Sequence, residues 1–257
     1  MALSGPRKAP LWGAFFIVCL FVQPALAEYC SMSGVGQLVI SRYVIDGDTL
    51  DLVDGRRVRL IGINAPEIGR QGSVSEPYAQ AARKELQRLA GNTDLRLLVG
   101  EETKDRYGRT LGHLFDAQGA NIEARLLSKG LGFAVAIPPN LQLLDCHLEH
   151  EQKARKELQG VWRESPVRPA ASVDAAGFQV LRGRVVKISR AGKYLWVDLD
   201  GPLVLRLPAG LVSAETGAAW KGRELEVRGW VVDRGSAQRG KARYMLSVPE
   251  KRLVNFD

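Results

Sequence analysis

Cysteine, histidine and methionine each occur only three times in these 257 residues, and aromatic residues make up just 7%. A grouping with metal-ligand spacing does exist at Cys146-His147 with His150, two histidines three apart on one helix face. It loses its thiol if Cys146 is committed to a disulfide. Long apolar runs are equally scarce. Leu11 to Val22 is free of charge but too short to cross a bilayer comfortably, and Gln23-Pro24 closes it. Arg7 and Lys8 precede this run and Ala25-Leu26-Ala27 follows it as a small-x-small cleavage site, so residues 1–27 read as a secretory signal peptide. A retained membrane anchor is the alternative. The expected mature protein is secreted or periplasmic, with no stable membrane anchor.

Cys19 falls inside the leader, which leaves Cys30 and Cys146 as the thiols of an exported chain. In an oxidising compartment the two predict one disulfide, tying the new amino terminus to the start of a late helix. Two independent small buried residues are the other reading.

What the chain has in excess is positive charge. A formal charge of +8 falls to +6 without Arg7 and Lys8, and the pI is near 9.6. Such a balance fits an anionic partner such as nucleic acid, and equally a solvated basic surface. The hydrophobic content of 46% is ordinary for a globular protein.

The most informative stretch runs from Val44 to Glu67, V-I-D-G-D-T-L-D-L-V-D-G-R-R-V-R-L-I-G-I-N-A-P-E. Aliphatic and β-branched residues alternate with polar ones and two Asp-Gly steps punctuate them, which predicts three short strands. Asp46 and Asp48 lie at a tight turn, Arg59 on the third strand, and Asn64 and Glu67 flank Pro66 just beyond it. Charges of both signs converging at one sheet end point to phosphate chemistry assisted by a metal.

These residues resemble the thermonuclease, or staphylococcal-nuclease-like, family. The resemblance rests on D-G-D-T at Asp46 to Thr49, R-L-I-G-I-N-A-P-E at Arg59 to Glu67 and D-R-Y-G-R at Asp105 to Arg109, in that order. N-I-E-A-R-L-L-S-K-G-L-G from Asn121 and G-V-W at Gly160 to Trp162 extend it over roughly residues 37–162. The resemblance implies a calcium site at Asp48, Asn64 and the Ala65 carbonyl. It implies Glu67 beside the attacking water, Arg59 and Arg109 gripping the phosphate, and Arg106 and Tyr107 holding a terminal phosphate of the substrate. Asn64 departs from the pattern, since a carboxylate is expected there. Asp46 reads better as a turn-capping residue than as a ligand.

Along the chain the pattern predicts a mainly β protein with helices, of the α+β class. Residues 28–164 are expected to form an oligonucleotide-binding (OB) barrel of five strands, with helices at Glu76 to Leu89, Ile122 to Lys129 and Leu141 to Leu158. Residues 165–176, rich in Pro, Ala and Ser, read as a linker. Residues 177–257 read as a second, smaller OB-like barrel of five strands with a short helical piece near Ala218 to Trp220, an SH3-like barrel being the alternative. Arg182, Arg184, Lys187, Arg190 and Lys193 with Tyr194 and Trp196 suit a single-stranded nucleic acid face, or a solvated strand beside core aromatics. No catalytic motif falls in this half.

The function implied is an exported, calcium-dependent, monomeric nuclease that cleaves DNA and RNA with little base preference. A nucleic-acid-binding module of the same fold, weakened in turnover by Asn64, is the competing class.

Overall fold

The computed structural model describes residues 1, 30–31, 34–69, 72–91, 93–235 and 242–256. Apart from Met1, the signal-peptide reading of 1–27 lies outside them. Alternating aliphatic residues generate the first barrel: β1 (Gln37–Val39), β2 (Ser41–Val44), β3 (Thr49–Leu52), β4 (Arg57–Leu60), β6 (Leu95–Lys104) and β7 (Thr110–Phe115), with a short β5 (Ile63–Asn64) paired to β8 (Phe133–Ala134). β1 and β2 are one strand interrupted at Ile40. Val39 on one side pairs with Leu95 of β6, and Ser41 on the other with Leu52 of β3. Counted as one, they close the sheet in the order first, second, third, fifth, fourth, first, with β4 and β7 parallel. That is the OB order.

Helix α1 (Ala79–Ala90) lies between the third and fourth barrel strands. Its Ala82, Leu86 and Leu89 are buried against Leu50, Leu52, Leu60 and Leu97 of the sheet, as is Leu126 of α2 (Ile122–Ser128). Each fully buried leucine contributes about 1.5–3 kcal/mol. The helix starts at Ala79 and not at Glu76, because Pro77 and Tyr78 form a turn with Tyr78 in the left-handed region at φ 66°. Helix α3 (Leu144–Lys156) follows, and Cys146 on it is bonded to Cys30 across 116 residues, with Cα atoms 5.7 Å apart. A loop that long stabilises by about 4–5 kcal/mol in the chain-entropy picture.

The second half repeats the topology. β10 (Gly177–Ala191), β11 (Tyr194–Leu199), β12 (Leu203–Pro208), β14 (Tyr244–Ser247) and β13 (Glu224–Asp233) neighbour one another in that order, and β13 returns to β10. β12 and β14 are parallel, and a short α4 (Ala214–Ala218), capped by Ser213, sits between β12 and β13. The helical piece thus lies four residues earlier than Ala218 to Trp220.

Residues 165–176 do not behave as a plain linker. They carry β9 (Val167–Pro169), parallel to β10, and a 3-10 turn at Ala170–Ser172, and Ala170 and Val173 are buried in the second core. A three-residue strand has too little length to show a period. A further short strand, β15 (Val254–Phe256), borders β13.

The two barrels share an interior. Ala136 and Leu144 of the first belong to the core of the second. Arg228 on β13 pairs with Glu151 on α3, both almost completely buried. Glu226 accepts from Arg155 at 2.5 and 2.6 Å.

Candidate active site

The turn from β2 into β3 is set by its two aspartates. Asp46 Oδ1 accepts the Asp48 N–H at 3.1 Å, the Asx turn that such residues favour. Gly47 between them sits where no side chain fits, since a Cβ would lie 2.6 Å from those of Ala65 and Ala82. That close approach lays the turn onto α1 and onto the segment after β5. Asp48 is therefore buried. Its Oδ2 accepts the Ala65 N–H at 2.8 Å and stands 3.1 Å from Arg59 Nη2, and its Oδ1 accepts from Thr49 Oγ1 at 3.0 Å.

Arg59 reaches this point from β4, with Nη1 donating to the carbonyls of Leu60 and Ile63 at 2.8 and 2.9 Å. Glu67 is exposed, and its backbone is clamped by Glu76: the Glu67 N–H donates to Glu76 Oε2 at 2.8 Å, and the Glu67 carbonyl accepts the Glu76 N–H at 2.9 Å. Glu76 thus fixes both ends of the intervening loop. No local pattern marks Glu76, because its role depends on a contact nine residues away.

The third motif folds around Asp105. Its Oδ1 accepts the N–H groups of Tyr107 and Arg109 at 2.9 Å each, and its Oδ2 accepts Arg109 Nε at 2.6 Å. Burial opposes the charge, yet the Arg109 guanidinium and these N–H groups hold the carboxyl below its ordinary value. Arg106 Nη2 donates to the Tyr107 hydroxyl at 2.7 Å, and its guanidinium lies 4.8 Å from that ring.

One open groove brings these motifs together: Asp46, Asp48, Arg59, Asn64, Glu67, Arg106, Tyr107 and Arg109 all line it. Ala65 lies buried beneath, beside Asp48. Two of the three buried aspartates on β3 and the turn before it, Asp48 and Asp51, differ electrostatically. Asp51 is held below its ordinary value, chiefly by its hydrogen bond from Arg57. Asp48 is raised to about 6, because burial and the neighbouring Asp46 outweigh Arg59 and the donors from Ala65 and Thr49. A buried carboxylate whose charge Arg59 offsets only in part, with the Asp46 carboxylate and the Asn64 amide along the same groove, is an oxygen-rich environment that suits calcium. The residues fit that ion.

Other sequence candidates lie elsewhere. Cys146 is in the disulfide, and His147 is buried with Nε2 3.0 Å from Asn121 Oδ1, so Cys146, His147 and His150 do not form a metal centre. His113 is buried and bonded to Glu123 at 2.9 Å. In the second barrel, Arg182 is paired with Glu226, and Arg190 donates to the Ala209 and Val212 carbonyls, which ties both to the fold.

Residues 57–164 match the family described as Staphylococcal nuclease homologue; the Asp46–Thr49 turn lies just before the matched span. A thermonuclease of Staphylococcus intermedius is 32% identical over 130 residues, 49% of this chain and 77% of the relative. Endonuclease YncB of Bacillus subtilis is 29% identical over 126 residues, 47% of this chain and 59% of the relative. A micrococcal nuclease of Shigella flexneri is 32% identical over 135 residues, 47% of this chain and 71% of the relative. Each alignment covers about half of this chain. With the motifs assembled on one OB barrel and the match spanning most of the first of these relatives, the chain belongs to the staphylococcal nuclease family.

Proposed function

We propose that this chain is an exported nuclease that hydrolyses phosphodiester bonds of DNA and RNA, with calcium held by Asp48, Asn64 and the Ala65 carbonyl. The observation that carries the reading is the convergence, in one groove, of a cation-seeking carboxylate, an exposed glutamate and two anchored arginines. Calcium, when bound, supplies positive charge to the phosphate oxygens as a Lewis acid. Glu67 orients the attacking water and takes its proton. Arg59 and Arg109 donate planar pairs of N–H groups to the phosphate, favouring the more highly charged transition state. Arg106 and Tyr107 receive a terminal phosphate at the groove's rim, where Tyr107 is 68% exposed. None of these groups reads a base edge, so base preference is weak.

Export is supported by the leader pattern and by the disulfide, a bond typical of oxidising compartments. Among the described residues no helix is long and apolar enough to cross a membrane. The mature chain is taken to act as a monomer.

Asn64 favours a second reading, a binding module with little turnover. Digestion of single-stranded DNA and of RNA by the mature protein, in calcium and in chelator, separates the two. Calcium-dependent cleavage of both polymers is expected. Binding at low salt without cleavage at any calcium level would favour the module, and neither binding nor cleavage would overturn both.

A further inference from the structure

The groove is not confined to the first barrel: Trp230, on β13 of the second, lines it as well. Among the described residues three aromatic side chains line this groove, and two are occupied by arginines. Tyr43 lies under Arg83 and accepts its guanidinium at 2.6 Å, and Tyr107 is engaged by Arg106 and Arg109. Trp230 is held differently. Its ring meets Phe178 edge-on at 5.2 Å, Phe178 meets Phe133 of the first barrel at 5.2 Å, and Phe133 meets Trp162 at 5.5 Å. This aromatic row crosses the joint between the barrels and fixes the indole, which nevertheless keeps 43% of its surface exposed. An indole pinned from behind and open in front loses little rotamer freedom when a flat partner lies on it.

From this we infer that Trp230 is a stacking platform for a base of single-stranded nucleic acid whose phosphate occupies the arginine-bearing part of the same groove. The inference rests on the proposed nuclease reading and adds a substrate contact from the second barrel. The lining argues for the occupant. Five arginines, Arg59, Arg106 and Arg109 among them, line the groove where phosphates would lie, beside six carboxylates that include the proposed calcium ligand Asp48, and an aromatic face next to guanidiniums is how single strands are held without base selectivity. A duplex keeps its bases stacked inside and presents no free face to Trp230, so the contact also favours single strands over double strands.

The test measures steady-state cleavage and direct binding of oligodeoxythymidylate by the parent, Trp230→Ala and Trp230→Phe. Stacking on one base predicts that Trp230→Ala raises KM and Kd about tenfold, with kcat changed less than twofold, while Trp230→Phe recovers most of the loss. The second measurement uses the parent alone. An otherwise identical oligonucleotide made of abasic sugar-phosphate units should bind the parent about tenfold more weakly than oligodeoxythymidylate. A parent that cleaves, with KM and Kd unchanged in Trp230→Ala or with equal affinity for the abasic strand, overturns the stacking role and leaves the nuclease reading intact. A parent that neither binds nor cleaves overturns both.

Discussion

At Asp48 two pulls oppose each other: burial and Asp46 drive the carboxyl up to about 6, and Arg59 draws it down. Without calcium, the folded state therefore holds this proton more tightly than the unfolded chain, whose value is 3.8. The group favours folding most below pH 3.8, and that contribution is lost as pH rises through about 6. At neutral pH the ionised carboxylate then costs up to about 3 kcal/mol. Asp48→Asn should accordingly raise the urea midpoint of the calcium-free protein at pH 7, and the gain should shrink towards zero below pH 4. An equal gain at both values would contradict the electrostatic origin. Asn64 is the complementary case, since an amide oxygen can ligate calcium but brings no formal charge. Asn64→Asp should lower the calcium concentration at half-maximal cleavage by about one to two decades, and an unchanged midpoint would mean that Asn64 is no ligand. These residues were legible in the sequence because each motif is a short contiguous string. Glu76 and Trp230 were not. Glu76 acts through a loop closure, and Trp230 reaches the groove only through the packing of one barrel on the other.

Among the elements, the connection from β4 to β5 shows how tightly the site is mounted. Gly62 has φ +81°, and an added Cβ would run into His147 Nδ1 on α3. Backbone strain and overpacking act together there, so Gly62→Ala should destabilise the fold by about 2–4 kcal/mol, read as a drop in the denaturation midpoint. A substitution tolerated within about 0.5 kcal/mol would show that the segment bends freely and does not hold Asn64 to Glu67 in place. The strands and α1 were readable from period and punctuation, as Leu50, Leu52, Leu86 and Leu89 illustrate. β9 and β15 escaped because three residues cannot display alternation. The shift of α1 to Ala79 escaped because the left-handed Tyr78 turn has no side-chain signature.

For the molecule as a whole, the second barrel is part of the same packed body. Its OB order was foreseeable from strand count and turn chemistry. The joint was not, because it depends on pairs such as Arg228 and Glu151, 77 residues apart. Removing one partner of a buried ion pair leaves the other uncompensated, so Arg228→Ala should cost about 3–5 kcal/mol and should lower a single unfolding transition observed for both barrels. Two separate transitions, with only the second moved, would show that the barrels fold independently. The shared interior makes the whole mature chain the form to assay. Whether the glutamate and arginines of the groove run phosphodiester cleavage is decided by kcat/KM for single-stranded DNA at saturating calcium. Glu67→Gln and Arg59→Ala should each reduce it by about 10²-fold or more relative to the parent, with folding and calcium binding retained. Two folded variants that cleave as fast as the parent would contradict that role.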